Sequence, residues 1–189
     1  TVTITEDTAH VLTAANFGFS DVDAGDALSA VRIDTLPTAG TLTLSGTAVT
    51  AGQVITTADL AAGQLVFTPA ADANGTGYAR VTFSVRDSTN LYDPTPNTLT
   101  VNVTAVNDRP TDLSLSANMV AEHAANGTVV GTVSGTDPDA GDTKSYSLTN
   151  TAGGRFAINR TTGALTVANS TLLNYEAATS HAVTVRVTD

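Results

Sequence analysis

"AEHAANGTVVGTVSGTDPDAGD", residues Ala121–Asp142, has a gap-free counterpart near the start of the chain, "TEDTAHVLTAANFGFSDVDAGD", Thr5–Asp26. In that alignment Glu6 falls on Glu122, Asp21 on Asp137, Asp23 on Asp139 and Asp26 on Asp142. The glutamate stands fifteen residues before the first loop aspartate in both copies. Downstream, "YARVTFSVRDS" corresponds to "HAVTVRVTD", each an alternating run that reaches an aspartate, Asp87 and Asp189. A match that spans loop, glutamate and strand end is a tandem repeat at the scale of a domain.

Between the copies lies "NTLTVNVTAVNDRPTDLSL". Its first part alternates with period two through Leu99, Val101 and Val103, and Pro110 cannot donate to a central ladder. The boundary is therefore expected in a short linker, 107–112, separating a domain over 1–106 from one over 113–189. Further strand candidates recur every eight to twelve residues: "SAVRIDTL", "GTLTLSG", "QLVFTP", "ARVTFSV", "GTVVGTV", "SYSLT", "FAIN", "ALTVA" and "AVTVRV". No stretch sustains a helical period. Thr, Ala, Val, Gly, Asp and Asn dominate, a mix suited to short β-branched strands and polar turns. The fold class predicted is all-β, two tandem β-sandwiches. The second copy stops at Asp189 where the first continues into Asn97–Ala105, so the second sandwich is expected to lack its final strand, and the chain reads as an excised fragment.

Bulk composition narrows the chemistry. The 189 residues carry a formal charge of −10, which disfavours nucleic acid and anionic membrane surfaces and favours a cation. With no cysteine, disulfide frameworks, thiolate zinc sites and cysteine nucleophiles are excluded. No apolar run reaches the ~18 residues of a membrane span. His10, His123 and His181 have neither metal nor triad spacing and read as exposed or edge residues. Phe17, Phe19, Phe67, Phe83, Phe156 and Tyr175 read as core. A glycosidase pair would need one carboxyl kept protonated by apolar surroundings, the reverse of three neighbouring aspartates. The chain is not expected to be an enzyme.

The second copy resembles a cadherin repeat, and the residues that carry the likeness are "AEHAANGTVVGTVSGTDPDAGD", "FAINRTTGALTV", "LLNYE" and "VTVRVTD" over about 113–189. The first copy is similar to the cadherin-like repeats of large secreted bacterial adhesins that end in "VNDAP" linkers; here the linker is "VNDRP". Asn159 and Asn174 stand where the family prefers aspartate, and Ala105 where an acid is common. The resemblance implies Greek-key sandwiches, Ca²⁺ as the cofactor, and an extracellular structural role.

In a sandwich of that topology consecutive strands alternate in direction, which sorts the acids by end. Glu6 and Asp72 are expected at the bottom of the first domain, Asn107 and Asp108 in the linker, and Asp137, Asp139 and Asp189 at the top of the second. Together they would form a complete interdomain Ca²⁺ site. Asp21, Asp23, Asp26 and Asp87 would form an N-terminal half-site, and Glu122, Asn174 and Glu176 a C-terminal one. Asp7 is read as a surface acid. Ca²⁺ takes six to eight oxygen ligands, whereas Mg²⁺ keeps its waters and zinc prefers His or Cys. The expected function is a calcium-stiffened extender of a bacterial cell-surface adhesin, monomeric, whose partners are adjacent repeats of the same polypeptide. A surface or matrix ligand is expected elsewhere in that protein. The alternatives are a glycan- or protein-binding module of the same adhesin, and a spacer in a secreted multidomain enzyme.

Overall fold

A computed structural model describes residues 1–189, which divide into two units, Thr1–Val106 and Asn107–Asp189. Each is built mostly from antiparallel pairings, some between consecutive strands and others between strands distant in sequence.

Unit 1 comprises β1 (Val2–Thr5), β2 (His10–Val11), β3 (Ala30–Ile33), β4 (Thr41–Leu44), β5 (Thr47–Ala48), β6 (Val54–Thr56), helix α1 (Thr57–Ala61), β7 (Leu65–Thr68), β8 (Gly75–Arg86) and β9 (Asn97–Thr104). One sheet runs β1-β9-β8-β3-β6 and the other β2-β7-β4-β5. Strand β9 is decisive for closure. It pairs antiparallel with β8, Val101 opposite Ala79 and Leu99 opposite Val81, and parallel with β1, Val101 opposite Val2 and Val103 opposite Ile4. Its alternation puts Leu99, Val101 and Val103 inward, all at or below 3% exposure. They join Ile4, Val31, Ile33, Phe67, Val81 and Phe83 in one continuous core. Phe17 meets Phe83 edge to face at 5.0 Å between ring centroids, the arrangement that ring quadrupoles favour.

Helix α1 has no counterpart in the strand-only reading. It is too short to show a period, yet it is signalled by its cap. Thr56 Oγ1 accepts from Asp59 N at 3.1 Å, and the Asp59 carboxylate accepts from Thr56 N at 2.9 Å. Two donors that the helix start would leave unpaired are thereby satisfied. The Thr56 hydrogen bonds hold the Asp59 carboxyl below the usual carboxylate range, against a smaller opposing effect of burial.

Unit 2 comprises β10 (Thr111–Leu115), β11 (Val129–Thr136), β12 (Ser145–Asn150), β13 (Phe156–Ile158), β14 (Ala164–Val167) and β15 (Thr184–Thr188). Its sheets are β10-β11-β14-β13 and the pair β12-β15. The continuous core is Val130, Phe156, Leu165, Val167 and Leu173. Two glycines set its close approaches. At Gly163, φ is +68° and a Cβ would lie 2.3 Å from the Val133 carbonyl oxygen; at Gly131 it would lie 2.2 Å from that of Ala117. No side chain larger than hydrogen fits either place.

Two sequence expectations are corrected here. Tyr175 is not core but 63% exposed, because it follows the 3₁₀ turn Ser170–Leu172 on a loop rather than lying in a strand. Asn159, read as a lost carboxylate, is a turn residue: its Oδ1 accepts from Thr161 N and Thr162 N, both at 2.9 Å, inside the β13–β14 hairpin. An amide serves that local capping role without any ion.

Candidate metal centre

The two acidic loops adopt the same local hydrogen bonding, and the reason is short-range. Asp23 N donates to Asp21 Oδ1 at 3.0 Å, and Asp139 N to Asp137 Oδ1 at 3.2 Å. Asp26 N then donates to the Asp23 carbonyl, and Asp142 N to that of Asp139. The glycines that follow each Asp-Ala, Gly25 and Gly141, have φ of +107° and +102°, a conformation that glycine adopts without a Cβ clash. Each Asp-x-Asp loop is thus an Asx turn closed by a glycine.

The strand that ends in aspartate comes to the same place in each unit. Carboxylate oxygens of Asp21, Asp26 and Asp87 lie within 4.8 Å of one another, and those of Asp137, Asp142 and Asp189 do likewise. Equivalent strand pairing accounts for this. Strand β3 pairs with β8 as β12 pairs with β15: Ala30 opposite Arg86 matches Ser145 opposite Thr188, and Ile33 opposite Phe83 matches Leu148 opposite Val185. In both loops the third aspartate closes the trio, while Asp23 and Asp139 lie outside it and donate their backbone N–H to the first aspartate. Asp142 was absent from the predicted ligands although its repeat partner Asp26 was included; the alignment itself carried the signal.

In unit 1 the cluster is partly satisfied by protein donors. Asp87, 7% exposed, accepts at one Oδ1 from Leu91 N at 2.8 Å, Thr89 N at 2.8 Å and Thr89 Oγ1 at 2.9 Å. The Leu91 backbone bond leads in holding its carboxyl below the ordinary range; burial opposes, and the Thr89 bonds add to the lowering. Asp26 Oδ1 accepts from Ser88 Oγ at 2.5 Å.

Unit 2 adds two residues ahead of β10. Asn107 Nδ2 donates to Asp189 Oδ2 at 2.5 Å, and Asp108 N donates to Asp139 Oδ2 at 2.6 Å. Here the fit to a cation has a direct indicator: Asp137 Oδ2 is buried with no hydrogen-bond partner. A buried carboxylate oxygen without a donor is costly to desolvate. Three carboxylates this close repel by a few kcal/mol per pair at an effective dielectric of about 20. A hard divalent cation removes both costs, and an all-oxygen set of carboxylates and an amide suits Ca²⁺.

The remaining predicted ligands are placed as follows. Glu6 is 1% exposed; its carboxylate accepts from Val106 N at 2.6 Å and Asn74 Nδ2 at 3.0 Å. It therefore sits where β9 leaves unit 1. Asp72 N donates to Asp7 Oδ1 at 3.0 Å, so Asp7, read as a bare surface acid, caps the Asp72 turn. Glu122 Oε2 accepts from Tyr175 N at 3.1 Å, beside Asn174, whose Oδ1 accepts from Ala177 N at 3.0 Å. Glu176 is exposed. That end brings Glu122 beside Asn174, and the structure gathers no carboxylate trio there.

Comparison with known proteins follows the same lines. Residues 117–189 match the Cadherin domain family. No curated protein sequence matches the chain. Among solved structures, mouse cadherin-23 EC22-24 is 27% identical with a TM-score of 0.50, covering 87% of this chain and 49% of that one. Human CDH23 EC21-23 is 20% identical with a TM-score of 0.58, covering 99% and 66%. Drosophila N-cadherin EC1-4 is 16% identical with a TM-score of 0.50, covering 90% and 39%. The chain spans about half of the mouse structure and about two thirds of the human one. Taken with the duplicated strand register and the paired acidic loops, these matches give the chain the fold of tandem cadherin repeats and place residues 117–189 in the Cadherin domain family.

Proposed function

We propose that this tandem is a calcium-stiffened extender of a bacterial cell-surface adhesin. The observation that carries the calcium reading is the carboxylate trio Asp137, Asp142 and Asp189, with the partnerless buried Asp137 Oδ2 beside it. Asn107 and Asp108 tie the chain entering unit 2 to Asp189 and Asp139 of that cluster. Glu6 ties the chain leaving unit 1 through Val106 N. Calcium held by these groups immobilises the 105–112 segment, and its removal frees it, because the carboxylates then repel. Asp21, Asp26 and Asp87 hold a second ion in this reading. Extracellular modules of this kind bind at about 10⁻⁴–10⁻³ M, so the cluster fills outside the cell and empties at cytosolic Ca²⁺ levels. The bacterial setting rests on the resemblance of the first repeat and its "VNDRP" linker to secreted adhesin repeats, and the mechanical role on the tandem arrangement.

Calorimetric titration of the whole chain with Ca²⁺, paired with small-angle scattering, tests both parts. Expected are saturable uptake in the submillimolar to millimolar range and a narrower distribution of lengths with calcium than with chelator. An absence of uptake at millimolar Ca²⁺ defeats the cofactor assignment; uptake without a scattering change defeats the stiffening.

A further inference from the structure

Strand β8 runs out into "VRDSTNLYD", Val85–Asp93, and the donors that hold the Asp87 carboxylate come from this one turn. Asp87 N donates to the Leu91 carbonyl at 3.0 Å, and Leu91 N donates back to Asp87 Oδ1 at 2.8 Å. Asn90 closes the turn at φ of +72°, a conformation that asparagine tolerates better than most side chains. Ser88, Thr89, Asn90 and Leu91 are all exposed, so the tip has no apolar packing of its own. The next residue, Tyr92, pairs with Arg86 and brings the chain back to the sheet. Its ring meets two guanidiniums, Arg32 Cζ at 4.6 Å from the centroid and Arg86 Cζ at 5.8 Å. Both arginines are fixed from behind. Register sets Arg32 opposite Ser84 and Ala30 opposite Arg86, on the side of the sheet away from Val31, Phe83 and Val85 of the core. Arg32 Nε donates to Asp34 Oδ1 at 2.6 Å and its Nη2 to the Oγ of buried Ser84 at 3.2 Å. Arg86 Nε donates to Ser29 Oγ at 3.1 Å, and Ser29 Oγ donates to the Asp87 carbonyl at 2.5 Å.

We propose that Tyr92, clamped by Arg32 and Arg86, is the residue that aims Asp87 at a divalent cation. A guanidinium over a ring face is attracted by the ring quadrupole, and the flat, anchored group of an arginine keeps that geometry. The clamp fixes Tyr92, and the backbone passes the constraint to its neighbour Leu91. Leu91 N and the two Thr89 donors then take up Asp87 Oδ1. Three donors fill that oxygen, which leaves Oδ2 as the ligand atom that Asp87 offers beside Asp21 and Asp26. Tyr92 is thus a positioning residue and touches no ligand itself. The inference rests on the calcium reading of this trio and names what orients one of its carboxylates.

The test uses the whole chain with Asp189→Asn as the parent, so that the tighter Ca²⁺ uptake belongs to the Asp87 trio. Calorimetric titration with Ca²⁺ is paired with amide hydrogen exchange in chelator. Tyr92→Leu should weaken uptake about fivefold. It should also speed exchange at Thr89 and Leu91 while leaving Val81 and Val101 unchanged. Tyr92→Phe, which keeps the ring, should match the parent in both measurements. Parent-like uptake or parent-like exchange in Tyr92→Leu overturns the assignment, as does a Tyr92→Phe that behaves like Tyr92→Leu. Equal acceleration at Val81 and Val101 overturns it too, for Tyr92 would then support the whole unit rather than Asp87. No uptake by the parent defeats the calcium reading of this trio, and the inference with it; uptake by the parent that Tyr92→Leu leaves unaltered defeats the inference alone.

Discussion

The first unit surrounds Val101 with a sheet closed on both sides of β9; the second reproduces the acidic loop almost bond for bond on a much smaller core. The difference separates two kinds of determinant. The loop is held by bonds spanning two or three residues, Asp21 Oδ1 to Asp23 N and Asp137 Oδ1 to Asp139 N, and it forms at both places where Asp-x-Asp-Ala-Gly-Asp occurs in this chain. The core needs strands from opposite ends of a unit, as β1 and β9 show in the first one. Ligand geometry and core size are therefore uncoupled in this tandem.

The strongest way to break that comparison is to empty each core in turn. Phe67 is 1% exposed and Phe156 8%, and Phe156 lines a cleft with Val120 and His181. Phe67→Ala should cost about 3–5 kcal/mol and Phe156→Ala the lower end of that range or less, since a rim site loses fewer contacts. Denaturant melts of the whole chain, with the shifted transition assigned by hydrogen exchange, measure both. Equal losses would mean that the second core is as closed as the first.

Next in size is the backbone approach within unit 2. Gly163→Ala combines a Cβ 2.3 Å from the Val133 carbonyl oxygen with φ of +68°, and should cost about 2–3 kcal/mol. Gly25→Ala, at φ of +107° but with nothing within 4 Å, should cost about 1 kcal/mol. Thermal melts of the two variants compare clash plus strain with strain alone.

The loops themselves are compared by Asp87→Asn and Asp189→Asn. Each should weaken Ca²⁺ binding at its own trio by at least about tenfold, roughly 1.4 kcal/mol, and leave the other trio's isotherm unchanged. Cross-talk between the two isotherms would show that the loops are not independent.

The smallest effect belongs to α1, which unit 2 does not have. Thr56→Ala should cost about 1 kcal/mol at neutral pH, read by denaturant midpoint. Because the folded protein holds the Asp59 carboxyl below its ordinary value, this contribution is complete above the unfolded value of about 3.9 and fades as pH falls through the folded one. The difference between wild type and Thr56→Ala should accordingly narrow as pH drops below about 4. A constant difference down to pH 2 would remove Asp59 from the cap.

The legible part of this chain was whatever repeats or alternates. The alignment of Asp21 with Asp137 and of Asp87 with Asp189 anticipated the two trios, and the Leu99, Val101, Val103 alternation anticipated β9. Less legible was anything whose cause is a neighbour far away in sequence. Tyr175 has the composition of a core residue, yet the loop after Leu173 turns it outward. Asn159 looked like a lost ligand until its Oδ1 was found on Thr161 N and Thr162 N. Helix α1 was invisible to periodicity because five residues make barely more than one turn.

By itself the sequence determined the repeat, the all-β class and the Asp-x-Asp turns, since hydrophobic alternation and Asx hydrogen bonding act over a few residues. Only the tertiary structure decided which third aspartate closes each trio and that Asp137 Oδ2 is buried without a donor. Those facts depend on strand register and burial, which arise from packing between segments up to a hundred residues apart and leave no local mark in the chain.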